Sequence, residues 1–170
     1  MMRVRLKLKP AKGRSAARKK NQEKEQQRMK RFKSDKYSFL KGQLTNVKFN
    51  CLFARSVIEH HVNGMVYVDN DENPNNAYIL HPYGMSLLIG NGRNADFCDW
   101  LIGYMLNRHK ERKNDEWMQV FSENWRSTLE NELRDRLLPA EKNIDSNYSD
   151  YVEVNTRVNF KFNETKYRAE

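Results

Sequence analysis

Three groups of residues in this chain have types and spacings that could do chemistry. Asp69, Asp71 and Asn73 carry the D-x-D-x-N spacing that opens a calcium loop. Such a loop needs glycine at its sixth position and a bidentate carboxylate at its twelfth. Those positions hold Pro74 and Leu80, and neither can fill the role, so the segment reads as an acidic turn. Gly90-Asn91-Gly92-Arg93-Asn94-Ala95 fits G-x-G-x-x-A between a strand and a helix, where backbone N–H groups and the helix dipole favour an anion. A dinucleotide site would add a parallel βαβ unit and an acidic residue about 20 positions on. Glu111 is near that spacing but sits in a basic, polar stretch, and the hairpins before the glycines point to antiparallel pairing. A tight strand-to-helix turn is therefore the simpler role for the glycines, with weak cofactor contacts assigned to Gly90, Gly92 and Arg93.

The histidines give no metal centre. His60 and His61 are adjacent on a helix and point about 100° apart, and His81 and His109 lack a cysteine or carboxylate at ligand spacing. No G-x-S-x-G, H-E-x-x-H or P-loop occurs. Tyr67, Tyr83 and the turn carboxylates could reach an amine, but aromatics on short strands more often fill cores, so the catalytic residues stay unassigned.

The elements that must position these groups follow from periodicity. Cys51, Leu52, Ala54, Arg55, Ile58 and Val62 have helical spacing, with Asn50 as cap and Gly64 as stop. MVYVD (65–69), AYIL (77–80) and residues 85–89 read as three strands joined by turns at Pro74 and His81–Gly84. Asn94 caps a helix that buries Phe97, Trp100, Leu101, Tyr104 and Met105. Residues 117–121 form a strand, and Ser122 opens a helix that carries Trp125, Leu129, Leu133, Leu137 and Leu138 to Pro139. Val152, Val154, Thr156, Val158, Phe160 and Phe162 share one face of a last strand. The order α-β-β-β-α-β-α-β predicts an α+β fold, a mostly antiparallel sheet with helices packed on it.

Charge divides the chain. Residues 1–28 hold 11 Lys/Arg and two Glu, whereas the remaining residues hold 20 of each sign, so the net +9 belongs to the first segment. RVRLKLK alternates basic and apolar residues, and residues 15–33 are helix formers without an apolar stripe. The predicted organisation is a basic, poorly packed arm over 1–34, disordered or a frayed helix, followed by one domain over 35–170. The arm could neutralise phosphates, which makes nucleic acid an alternative partner through residues 1–28. Cys51 and Cys98 have no C-x-x-C spacing and suit reduced thiols, and no apolar run reaches membrane-span length, so a cytoplasmic location without a membrane partner is expected.

The blocks 52–91, DEWMQVF (115–121) with Trp125, and TRVNFKF (156–162) together resemble the N-terminal part of the zwittermicin-resistance type of GNAT acetyltransferase, over residues 29–163. The resemblance implies a GNAT-like half, acetyl-CoA as co-substrate if the chain is active, and an amine substrate or a downstream acetyltransferase domain as partner. The family's pyrophosphate cradle is [Q/R]-x-x-G-x-[G/A], and its closest match places Leu87 where Gln or Arg belongs, followed by Gly90 and Gly92. The acetyl-CoA region would follow residue 163, so a truncated or split product is expected, with Met29 the natural start and residues 1–28 an upstream extension.

Overall fold

The computed structural model describes residues 2–7, 30–140, 151–156 and 162–168. Strands β1 (Met2–Leu6), β2 (Lys30–Arg31), β3 (Met65–Val68), β4 (Asn76–His81), β5 (Met85–Gly90), β6 (Glu116–Val120), β7 (Leu137–Pro139) and β8 (Val152–Thr156) form one sheet in the order β2-β3-β4-β5-β6-β1-β8-β7. The helices are α1 (Lys41–Thr45), α2 (Leu52–Ile58), α3 (Ala95–Met105), α4 (Glu123–Leu133) and α5 (Glu164–Tyr167), with a 3-10 segment over Ser34–Leu40. All pairings are antiparallel except β5 with β6 and β7 with β8. The expected α+β architecture is present, a mostly antiparallel sheet with helices on it.

Strand alternation sends side chains to two cores. Tyr78, Leu88, Met118, Val120, Val4, Leu6 and Val152 meet α3 and α4 on one face. Val66, Val68, Ile79, Leu87 and Ile89 meet the 3-10 segment, α1 and α2 on the other.

The structure corrects four sequence expectations. The arm is packed at both ends that can be described. Met2–Leu6 lies between β6 and β8 with Val4 and Leu6 fully buried, and Phe32 is buried beside the short strand β2. The basic residues of RVRLKLK occupy alternate positions and leave the apolar ones free to face α3 and α4; residues 8–29 lie outside the described residues. The second correction is that β5-α3-β6 forms a parallel βαβ unit, because α3 is long enough to carry the chain back to the same end of the sheet. Third, the α2 face differs in part: Cys51, Ala54 and Ile58 are buried as expected, joined by Phe53 and Val57, whereas Leu52 is 65% exposed. Finally, the helix opened by Ser122 ends at Leu133, and Leu137–Pro139 turns into a strand alongside β8. Phe162 lies beyond the end of β8 and is exposed, and residues 157–161 are not described.

Leu6→Ala should cost about 3 kcal/mol, as buried leucine truncations do, while Leu52→Ala should change stability by less than about 0.5 kcal/mol. Urea unfolding of the two variants checks this; equal effects would remove β1 from the core.

Candidate functional site

The glycine turn lies at the carboxyl ends of the two adjacent parallel strands, where α/β sheets commonly bind ligands. Gly90 has φ +120 and Gly92 has φ +67, both in the region that favours glycine. A Cβ on Gly90 would lie 2.2 Å from the Asn75 carbonyl oxygen, so the turn presses directly on the loop between β3 and β4. A Cβ on Gly92 would lie 3.1 Å from Thr128 Oγ1, so α4 closes the other side.

Three backbone donors of this turn and the helix that follows it, those of Gly92, Arg93 and Phe97, are engaged from within the protein. Gly92 N–H donates to Asn76 Oδ1 at 2.8 Å, and Arg93 N–H donates to Asn91 Oδ1 at 3.0 Å. Phe97 N–H donates to the Asn94 cap at 2.9 Å. Asn76 is fully buried and donates through Nδ2 to Asp69 Oδ2 at 2.7 Å, while Asp69 Oδ1 accepts the N–H groups of Asn75 and Asn76, each at 3.0 Å. Asp69 thus organises the turn as an acceptor. An anion approaching Gly92 would have to displace the Asn76 amide oxygen, and Asp96 in the first turn of α3 adds repulsion. The residues present do not fit a pyrophosphate.

The carbonyls beside the turn are also taken. Trp125 Nε1 donates to Ile89 O at 3.2 Å, and Ser122 Oγ donates to Gly90 O at 2.9 Å while accepting from Trp125 N–H at 3.3 Å. Ser122 holds φ 96, a left-handed conformation costly for a non-glycine residue, at the end of β6. Cys98 Sγ approaches Gly92 O at 3.6 Å, and burial pushes this thiol up to about 11, with Glu132 and Asp99 adding to the shift. Such a thiol is a poor nucleophile near neutral pH. Of the three residues assigned from sequence, Gly90 and Gly92 are joints of the fold, and only Arg93 presents an exposed side chain.

The densest polar chemistry lies at the opposite end of β5 and β6. Glu116, buried at the start of β6, accepts from Ser86 Oγ at 2.5 Å and from Tyr78 OH at Oε1, and from Tyr104 OH at Oε2 at 2.7 Å. Four residue steps along β5 separate Ser86 from Gly90, roughly 13 Å at strand rise, so the two clusters cannot share one small reacting group. Burial foremost, then the Glu116 carboxylate, holds the Tyr78 and Tyr104 phenols far above their ordinary range. Trp100 closes the cluster, its ring 5.4 Å from that of Tyr104 and 4.9 Å from that of Tyr67. Glu116 was legible as the charged residue that shares the apolar phase of Met118 and Val120; its partners come from three other elements.

Among the described residues no group of three or more His, Cys, Asp and Glu is placed to hold a metal ion. No described helix is long and apolar enough to cross a membrane.

The buried phenols set an alkaline limit. Below about pH 10 the folded and unfolded chains both keep these protons. Above it the unfolded chain releases them while the folded chain holds them, so stability falls as pH rises. Thermal unfolding followed from pH 9 to 11 should show this loss, and Tyr104→Phe should reduce its slope by about one proton. An unchanged slope would exclude Tyr104 as a contributor.

No family model matches the chain. The chain is 31% identical over 104 residues to an uncharacterized N-acetyltransferase, YdfB, of Bacillus subtilis. The match takes in 60% of this chain and 38% of that protein, so the chain spans well under half the length of the relative. The likeness is distant and partial, and it is to an N-acetyltransferase.

Proposed function

We propose that this chain is the leading region of a GNAT-type N-acetyltransferase of the zwittermicin-resistance kind. Acetyl-CoA would be the co-substrate and a small-molecule amine the acceptor. In this reading the region frames the enzyme and positions its partner domain, and the cofactor's pyrophosphate is cradled outside the Gly90–Arg93 turn.

The observation that carries the reading is the internal occupation of the turn. Asn76 Oδ1 takes the Gly92 N–H that a cradle would offer to a phosphate oxygen, and Leu87 stands where the cradle motif has Gln or Arg. The partial likeness to an N-acetyltransferase supports the reaction class. Acetyl transfer to an amine needs a base for the ammonium proton and donors for the tetrahedral oxyanion. The described carboxylate with the most hydroxyl partners, Glu116, has both oxygens committed to Tyr78, Ser86 and Tyr104. A scaffolding role agrees with that saturation.

Calorimetric titration of the full chain with acetyl-CoA should give no saturable heat up to millimolar concentration. Saturable heat that disappears in Arg93→Glu would return the turn to cofactor binding and overturn the scaffolding part. For the family assignment, this chain grafted onto the Bacillus relative in place of the region it matches should preserve acetyl-CoA binding within about threefold. A folded chimera that has lost the cofactor would sink it.

A further inference from the structure

Strand β1 sits in the sheet as a bound peptide would. It fills the slot between β6 and β8 and is antiparallel to both, with Met2–Leu6 paired to Val120–Glu116 on one side and Met2–Arg5 to Thr156–Glu153 on the other. Its sheet partners and the polar groups that grip it lie 105 or more positions further along the chain.

The slot reads this strand residue by residue. On one face Val4 and Leu6 are fully buried and Met2 nearly so, in the core formed with α3 and α4. On the other face the guanidinium carbons of Arg3 and Arg5 lie 4.3 and 5.1 Å from the centre of the Trp117 ring. Arg5 also pairs with Asp115 at 3.0 Å, and Lys7 pairs with the buried Glu153. The Arg112 guanidinium closes the end, donating to Leu6 O at 2.7 Å and Lys7 O at 3.3 Å. Main-chain pairing supplies the hold and the alternate side chains supply the selectivity, as in peptides that add a strand to a sheet. The slot therefore selects an apolar–basic alternation, which Met2–Lys7 carries.

None of these contacts requires strand and slot to belong to one molecule. The next strand in sequence, β2, stands at the far edge of the sheet, five strand spacings or roughly 24 Å from β1. The chain from Lys7 to Lys30 has a contour of roughly 75 Å, about three times that span, and so reaches a neighbouring molecule as well as its own sheet. Exchange replaces each contact by its copy, so the two arrangements differ mainly in chain and association entropy.

We infer that the slot between β6 and β8 is a strand-binding site whose further partner is a second copy of this chain, each copy donating Met2–Lys7 to the other. The site is apart from Glu116 and from the glycine turn, and it uses neither acetyl-CoA nor an amine.

The test uses two variants of the full chain, Arg3→Cys as strand donor and Gln119→Cys as acceptor, because these positions pair across β1 and β6. Refolded together from urea at high protein concentration and then oxidised, they should give a disulfide-linked heterodimer whose yield rises with concentration. The double variant Arg3→Cys/Gln119→Cys should close within one chain at high dilution. Adding Val4→Asp to the donor should cut the heterodimer about tenfold or more, because it would bury an unpaired charge. The donor's own folding is not needed, since the slot under test is the acceptor's. A heterodimer that survives Val4→Asp marks contact outside the slot and overturns the inference, as does the absence of heterodimer where the double variant closes. Sedimentation of the unmodified chain, refolded in the same way, gives a reading that needs no added cysteine. A dimer fraction that rises with concentration is expected, and a chain that stays monomeric throughout overturns the inference. Neither readout involves acetyl-CoA, so both outcomes leave the acetyltransferase reading to its own test.

Discussion

The fold depends on a five-residue strand held in the middle of the sheet. β1 is the strand that joins β6 to β8, so without it the β8–β7 pair would be cut off from the other strands of the sheet. Its hold is both apolar and polar. Val4 and Leu6 are buried under α3 and α4, and the Arg112 guanidinium locks the strand's end to a helix. Arg112 donates to Leu6 O at 2.7 Å and Lys7 O at 3.3 Å, and to Tyr104 O at 3.2 Å and Met105 O at 3.0 Å. Both are carbonyls of the last turn of α3, Tyr104 O also accepting the Asn107 N–H at 2.9 Å, and a cation there is favoured by the helix dipole. One buried side chain therefore satisfies two backbone segments far apart in sequence. A lysine could not, because its single ammonium lacks the planar fork that reaches both.

The parallel strands β5 and β6 have two ends of opposite character, and both are saturated. At the carboxyl end, Asn76 inserts its amide where a ligand oxygen would sit, and Trp125 and Ser122 take up the neighbouring carbonyls. At the amino end, three hydroxyls converge on Glu116 within the main core. Saturated polar networks of this kind specify one arrangement of the elements around them. They also leave little spare capacity for chemistry, which is why both read as architecture in a chain that resembles part of an acetyltransferase.

The two faces of the sheet are unequal. One is apolar from β4 across to β8 apart from the buried Glu116 and Ser86. The other is apolar only from β3 to β5, and from β6 onward it carries Gln119, Arg3, Arg5, Asn155 and Glu153. Strand alternation alone does not distinguish these halves, since each strand keeps the same period. What separates them is the cover, with α1 and α2 packing over the β3–β5 end.

Much of the fold was readable from local pattern. The cap at Asn94, the buried face of α3 and the three central strands follow from side-chain period and turn chemistry, which act within a few residues. The alternation of RVRLKLK carried the β1 signal as well, but the charge of the first 28 residues outweighed it, although burial needs only alternate positions to be apolar. Local pattern left open how strands pair. The parallel join of β5 to β6, the strand at Leu137–Pro139 and the placement of β1 between β6 and β8 are contacts between distant segments, set by which surfaces bury most area together. The same limit governs the candidate sites. The sequence determined that Gly90 and Gly92 form a tight turn, because only their backbones adopt it without strain. That the turn is filled by Asn76, that Glu116 gathers Tyr78, Ser86 and Tyr104, and that Gln119 stands beside Arg3 and Asn155 were decided by tertiary packing, since each grouping joins segments that the chain itself holds apart.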